Sequence, residues 1–156
     1  MPVKQPKFHI PEDDEFDDVD FMTGEYITAV ANNLFATKVK WIADLSIVYL
    51  WKRKGGYGKG KAVLGKCQRP TGILKHFANY DFVIWLAADN MRDANFRELQ
   101  VEATLYHELC HAGHDLKGNP VVIPHDYEGF CAEITEYGLW RNELKAMDDT
   151  TRRLKK

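Results

Sequence analysis

Six stretches of the chain place their apolar residues at a spacing typical of helices or strands. Three show apolar side chains three or four positions apart, and three show alternating or continuous apolar runs rich in β-branched and aromatic residues. The predicted helices cover residues 23–37, 93–112 and 126–146, and the predicted strands cover residues 43–51, 61–67 and 80–88. The chain therefore carries a helix, three strands and two further helices, in that order.

The order of these elements predicts the fold class. Residues 55–60 read Gly-Gly-Tyr-Gly-Lys-Gly, which is typical of a turn, so we expect strands 43–51 and 61–67 to form a hairpin. The run 80–88 is the most continuously apolar and is therefore expected to be the most central strand. We predict an α+β domain in which a small, mainly antiparallel three-stranded sheet packs with an N-terminal helix, the helix 93–112 and a C-terminal helix.

Length, charge and hydropathy narrow this picture. A chain of 156 residues with a net charge of −2 suits one domain with its own core and provides no global attraction to a polyanion. Residues 12–20 contain seven acids, so we expect a disordered acidic segment over 1–22, one domain over 23–148 and a basic tail over 149–156. There is no apolar run of the roughly 20 residues that a membrane span needs, and the first residues lack an apolar signal core. These features predict a cytoplasmic protein without a membrane partner.

The end of the predicted helix 93–112 carries the most specific chemical signal in the chain. Residues 107–111 read His-Glu-Leu-Cys-His, the H-E-x-x-H pattern of zinc peptidases. Residues four apart lie on one face of an α-helix, so His107 and His111 can bind the same metal ion. Glu108 then lies beside the metal, where its carboxylate can accept a proton from a bound water. The pattern predicts a zinc site at His107 and His111, with Glu108 as general base.

A hydrolytic zinc site needs a third protein ligand. The candidates further along the chain are His114, His125, Glu128 and Glu133. His114 lies two turns beyond His107, too far for one ion if the helix continues, and the two glutamates can equally be solvated or cap a helix. His125 follows Pro124 at the entry to the final predicted helix, a fixed position from which to offer an imidazole. We therefore favour His125 and keep the other three candidates open.

The sequence around these residues resembles the phage metallopeptidase family, a group similar to the SprT-like and Spartan zinc metalloproteases. In that family an H-E-L-x-H helix is followed by a histidine shortly before a phenylalanine, as His125 precedes Phe130 here, and the resemblance covers residues 45–141. It implies a zincin-like fold, action in the cytoplasm of a phage-infected cell and Glu108 as general base. It also implies three zinc ligands: His107, His111 and His125. The chain lacks the C-terminal cysteine zinc ribbon of larger SprT-like proteins, so the resemblance does not by itself imply their DNA-linked functions.

Residues next to the motif and next to His125 are candidates for supporting roles. Asp126 could orient a histidine ligand through a hydrogen bond, or it could cap the final helix. Tyr127, His114 and Tyr106 could each stabilise the oxyanion that forms when a peptide bond is attacked. The sequence gives no basis for choosing among them.

Basic residues are concentrated in the predicted hairpin. Residues 52–69 contain seven cations and no acid, and Trp51 and Tyr57 lie next to and among them as aromatic side chains that can stack on bases. The candidate nucleic-acid contacts are Lys52, Arg53, Lys54, Lys59 and Lys61. A solvated hairpin whose lysines discourage edge-to-edge aggregation accounts for the same pattern. The opposite charges also suggest that the acidic segment folds back onto this hairpin and restrains activity.

Two functions of different classes follow from the sequence. The first is a zinc-dependent peptidase that acts on a protein or peptide substrate, with Zn²⁺ as cofactor. The second is a non-catalytic zinc-containing module that binds nucleic acid or a host protein. Glu108 favours the first, since a purely structural zinc site does not need a base at that position. The substrate and the oligomeric state are not encoded in any of these patterns.

Overall fold

The computed structural model describes residues 4–154, and mixed helices and strands along this range confirm the predicted α+β class. The chain divides into two compact units, Met1–Ile123 and Pro124–Lys156. The elements of the first unit are β1 (Phe21–Thr23), α1 (Glu25–Thr37), β2 (Ile47–Lys52), β3 (Tyr57–Gly58), β4 (Lys61–Ala62), β5 (Gly65–Gln68), α2 (Ile73–Phe77), β6 (Phe82–Ala87), α3 (Ala88–Asp93), α4 (Glu98–Cys110), β7 (Ala112–His114) and β8 (Pro120–Val122). The division falls inside the range 23–148 that the sequence predicts as one domain.

A four-stranded sheet, in the order β1-β2-β6-β5, forms the centre of the first unit. β1 is antiparallel to β2, β2 is parallel to β6, and β6 is antiparallel to β5. The predicted three-stranded sheet therefore has a fourth strand, which the sequence analysis missed because the three residues of β1 follow an acidic run and carry little apolar pattern. The predicted pairing of the first two strands is also wrong, because β2 and β5 lie on opposite sides of β6.

One face of this sheet is packed against helices. Tyr49, Ile84 and Cys67 lie side by side on β2, β6 and β5, and all three are buried. α1 contacts β2 and α4, and α4 also contacts β5 and β6. Alternate positions along a strand point to opposite faces, so the buried row marks the face that α1 and α4 cover. This packing brings the end of α4 close to the edge strand β5.

The glycine-rich turn forms a hairpin of only two residues on each side, β3 and β4. Its base is tied to the start of α3. The carboxylate of Asp89 accepts a hydrogen bond from the Gly55 backbone at 2.9 Å, and the buried Asn90 amide donates to the carbonyls of Gly56 at 2.9 Å and Val63 at 2.7 Å. A side chain at Gly55 would lie 2.6 Å from the Val63 carbonyl oxygen, so only glycine fits there.

The acidic segment is part of the first unit over residues 4–22. Phe16, at the end of a short 3₁₀ helix (Asp13–Phe16), is 1% exposed and packs in the core. Asp13 binds Arg53 through two hydrogen bonds of 2.7 and 2.6 Å. The expectation of disorder over 1–22 therefore differs from what the structure describes for 4–22, and residues 1–3 lie outside the described range. The burial of Phe16 and the ion pair between Asp13 and Arg53 explain why residues 4–22 are ordered within the first unit.

Both helices predicted after residue 90 are interrupted. The predicted helix 93–112 is divided between α3 and α4, because Asn95 has a left-handed backbone with φ of 53°. The predicted helix 126–146 is divided between α5 (Cys131–Tyr137) and α6 (Asn142–Arg153) of the second unit, with Gly138 at φ of 68° between them. α6 extends through most of the predicted basic tail, whose last two residues lie outside the described range. Among residues 4–154, no helix has both the length and the apolar character that crossing a membrane requires.

Candidate metal centre

The last turn of α4 carries the first four residues of the H-E-x-x-H pattern, 107–110. His107 and Glu108 lie within the helix, and His111 is its C-terminal cap residue. The rings of His107 and His111 lie edge to face, with their centroids 5.2 Å apart. The four-residue spacing thus places the two imidazoles next to each other, one helical turn apart.

His125 completes a cluster of three imidazoles. One ring nitrogen from each of His107, His111 and His125 lies within 4.8 Å of the other two. His111 is half-buried, and the other two rings are exposed. Nitrogen ligands at about 2.0–2.1 Å from a tetrahedral zinc ion lie about 3.3 Å apart, so imidazoles whose ring nitrogens lie within 4.8 Å of one another are close enough for one ion to bind all three after small shifts. The donor set fits an ion such as zinc, which imidazole nitrogens bind well.

A pair of hydrogen bonds holds His111 to Ile123. The His111 ring donates from Nδ1 to the Ile123 carbonyl at 2.6 Å, and the Ile123 N–H donates to the His111 carbonyl at 2.7 Å. Histidines that bind metals commonly donate their second ring N–H to a carbonyl or a carboxylate, which fixes the orientation of the ring. The surroundings of His111 therefore also fit a metal ligand.

Glu108 is buried between α4 and β5 and is 7% exposed. Burial raises the pKa of its carboxyl above the ordinary value, while His111 and a hydrogen bond with the backbone of Cys67 act in the opposite direction. A carboxylate with a raised pKa is a stronger proton acceptor than an exposed one. The arrangement can therefore supply a base beside the imidazole cluster.

Strand β5 contributes two residues to the surroundings of Glu108 that the sequence analysis missed. A side chain on Gly65 would begin 3.3 Å from Cγ of Glu108, so the absence of a side chain lets the strand approach the helix closely. Burial, with a smaller effect from Glu108, raises the pKa of the Cys67 thiol to about 12. Cys67 is thus a protonated, buried thiol at neutral pH. No local pattern signals this contact, because it depends on the packing of α4 against the sheet.

The other three candidates for third ligand lie elsewhere. His114 is an exposed residue of β7 opposite Pro120. In the second unit, Glu133 accepts a hydrogen bond from the Trp140 indole at 2.9 Å and pairs with Arg141 at 3.2 Å. Glu128 is exposed. Among the residues that the structure describes, none of these three joins the imidazole cluster.

The four residues predicted to orient a ligand or stabilise an oxyanion do not belong to the imidazole cluster. Asp126 and Tyr127 are exposed and line a cavity of about 420 Å³ in the second unit. Asp126 does not cap the final helix as predicted, since α5 begins at Cys131 with Phe130 as its cap residue. Tyr106 lines a cavity of about 260 Å³ beside α1. Roles for Asp126, Tyr127, Tyr106 and His114 in orienting a ligand or stabilising an oxyanion stay predictions.

The five candidate nucleic-acid contacts do not share one environment. The ammonium of Lys52 lies 4.5 Å from the centre of the Trp85 ring, and Arg53 is paired with Asp13. The remaining three lysines are exposed: Lys54, Lys59 and Lys61. The surface available to a polyanion is therefore smaller than the sequence alone suggests.

Fold and site together define an α+β protein with three clustered imidazoles and a buried carboxylate that can serve a metal ion. The family model described as "Putative phage metallopeptidase" matches residues 19–148. The chain belongs to this family, which is described as one of metal-dependent peptidases. Among curated proteins and among solved structures, none matches this chain.

Proposed function

We propose that this protein is a zinc-dependent peptidase with a zincin-like catalytic centre, acting in the cytoplasm of a phage-infected cell. His107, His111 and His125 hold the zinc ion, and Glu108 is the general base. The observation that carries this proposal is the cluster of three imidazoles, with ring nitrogens within 4.8 Å of one another, beside a carboxylate that is 7% exposed. Membership of the metallopeptidase family supports both the metal and the peptide substrate.

Three imidazole ligands suit a hydrolytic zinc ion, since catalytic zinc sites keep a fourth position open for water or substrate. A zinc ion bound there would polarise the scissile carbonyl and make a coordinated water easier to deprotonate. Because Nδ1 of His111 donates to the Ile123 carbonyl, His111 would bind through Nε2. The chain thus orients one ligand before any metal arrives.

Glu108 performs the proton transfers in this proposal. Its carboxylate accepts a proton from the attacking water and later passes it to the leaving amine. Burial between α4 and β5 keeps the carboxylate partly desolvated, which raises its pKa and strengthens it as a base. The close approach at Gly65 limits the room in which the Glu108 side chain can move.

A conservative substitution tests this role. Glu108→Gln should reduce cleavage of an unfolded protein such as reduced, alkylated casein by about 100-fold or more, because general base catalysis contributes about that much. It should still bind one zinc ion per chain. The matched control is Glu102→Gln on the same helix, whose carboxylate lies 3.8 Å from the Lys38 ammonium and is not a member of the imidazole cluster. A fully active Glu108→Gln would remove Glu108 from the mechanism.

The exposed lysines of the β3–β4 hairpin favour a second candidate, a zinc-containing binding module for nucleic acid. Lys59 and Lys61 are exposed at its turn, beside the exposed Tyr57. This function predicts binding of a DNA duplex that weakens steeply with salt and a smaller salt dependence in the Lys59→Gln, Lys61→Gln double variant. Salt-insensitive, weak binding would remove the nucleic-acid function.

A further inference from the structure

The hydrogen bonds between His111 and Ile123 extend a small antiparallel ladder. β7 and β8 pair Ala112 with Val122 and Gly113 with Val121, so His111 and Ile123 stand opposite each other at the next position. At this position the His111 carbonyl accepts a hydrogen bond from the Ile123 N–H, and the Ile123 carbonyl accepts one from the His111 ring. Ile123 is therefore fixed to the histidine that ends α4.

Ile123 also stands two residues before His125 in the chain. Two residues span at most about 7 Å of extended backbone, so a fixed Ile123 limits how far the His125 backbone can be from His111. The same residue thus orients the ring of one proposed ligand directly and restricts the position of another through the chain.

Gly113 makes room for this arrangement. It is buried, and a Cβ added there would lie 2.7 Å from Cγ1 and 2.9 Å from Cδ1 of Ile123. Non-bonded carbon atoms essentially never approach so closely, so any larger residue at position 113 must displace the Ile123 side chain. The φ of Gly113 is not positive, so the requirement for glycine here comes from space and not from backbone conformation.

We propose that Ile123 is a positioning residue of the metal centre, which holds the His111 ring and presents His125, and that Gly113 is the small residue that permits it. This inference rests on the proposed function, because it assumes that the imidazole cluster binds zinc. It assigns the β7–β8 hairpin a role in assembling the centre. The hairpin would preorganise two of the three ligands before the metal binds.

The test measures zinc affinity of the full chain by competition with a chelator. Gly113→Val should raise the Kd for zinc by about 10-fold or more, the range found when groups that orient metal ligands are removed. Ile123→Ala, which shortens the obstructing side chain but keeps its backbone groups, should have a smaller effect. The double variant should recover to near the Ile123→Ala value. Gly58→Val is the matched control, since the nearest atom to an added Cβ there is 3.5 Å away, and it should bind zinc as the wild type does.

A second variant protects the test against a general loss of folding. Ile123→Pro removes the N–H that donates to His111 while keeping an apolar side chain, and it should also weaken zinc binding by about 10-fold or more. Circular dichroism of the metal-free variants separates weakened binding from unfolding, and the absorption of bound cobalt(II) reports whether the ligand geometry changes.

The outcomes separate this inference from the proposed function. A wild type that binds no zinc contradicts the proposed function itself. A wild type that binds zinc tightly, with Gly113→Val and Ile123→Pro folded and equally tight, overturns only the positioning role. A double variant as weak as Gly113→Val would show that the valine acts through something other than Ile123, which also overturns the proposal.

Discussion

His125 is the one proposed ligand that lies outside the last turn of α4, and its removal is therefore the cleanest test at the scale of a residue. His125→Ala should weaken zinc binding by more than about 100-fold, since losing a ligand costs more than losing a group that merely orients one. His114→Ala is the matched control, because His114 is exposed on β7 and outside the cluster. Equal zinc affinity in both variants would mean that another residue is the third ligand.

The residues of the site differ in how well sequence can find them. The positions of His107 and His111 follow from helix periodicity, which is a local property. Ile123 pairs with His111 across 12 residues of chain, and Gly65 reaches Glu108 only through the packing of α4 on the sheet. Such contacts join parts of the chain that no periodicity relates, so the sequence could suggest His125 but could not identify its neighbours.

At the scale of elements, the β3–β4 hairpin depends on one buried amide. Asn90 is 5% exposed and donates to the carbonyls of Gly56 and Val63. Asn90→Ala should reduce the free energy of unfolding by about 1–3 kcal/mol, because the Val63 carbonyl loses the Asn90 amide and the Gly56 carbonyl keeps only its bond from the Val63 N–H. Asn33→Ala on the exposed side of α1 should change it by no more than about 0.5 kcal/mol. Urea unfolding of the two variants gives the comparison, and equal values would contradict the role of Asn90.

The ion pair between the acidic segment and the end of β2 predicts a dependence on pH. The hydrogen bond from Arg53 lowers the pKa of Asp13 below its ordinary value of 3.8. A carboxyl whose pKa is lower in the folded than in the unfolded state stabilises the folded state at pH values above its pKa in the unfolded chain. This stabilisation is lost as the pH falls through the pKa of the folded state. The wild type should therefore be more stable than Asp13→Asn at pH 6, and the difference should shrink below pH 3.8.

Urea unfolding of the wild type and of Asp13→Asn at each pH, at low salt, measures the difference in their free energies of unfolding. Effects of pH that are common to the two proteins cancel in this difference. The pair is partly exposed, so the difference should be modest and should fall as salt is added. A difference that stays constant from pH 6 to below 3.8 would mean that the ion pair does not stabilise the fold.

The elements also show what pattern alone can and cannot predict. The apolar run that gives β6 is long and continuous, and its predicted range, 80–88, contains the observed strand. The pairing partners were wrong because periodicity identifies a strand without identifying its neighbour. The helix divisions at Asn95 and Gly138 are set by single left-handed residues, which a periodic pattern passes over.

At the scale of the whole molecule, the family match extends across both compact units. It begins at residue 19, before β1, and ends at residue 148, within α6. Zinc that binds only the folded protein would stabilise it by about 2.7 kcal/mol at a concentration of 100 times Kd, so metal binding and folding of the whole chain should be coupled.

The measurement that tests the central claim most directly is a zinc titration of the metal-free protein with peptide cleavage as the readout. Hydrolysis of unfolded casein should be absent without metal, rise in proportion to added zinc, and level off at one equivalent per chain. The same titration of Glu108→Gln should give one bound zinc without cleavage. Full cleavage by the metal-free protein, or none at any zinc concentration, would contradict the account of this chain as a zinc-dependent peptidase.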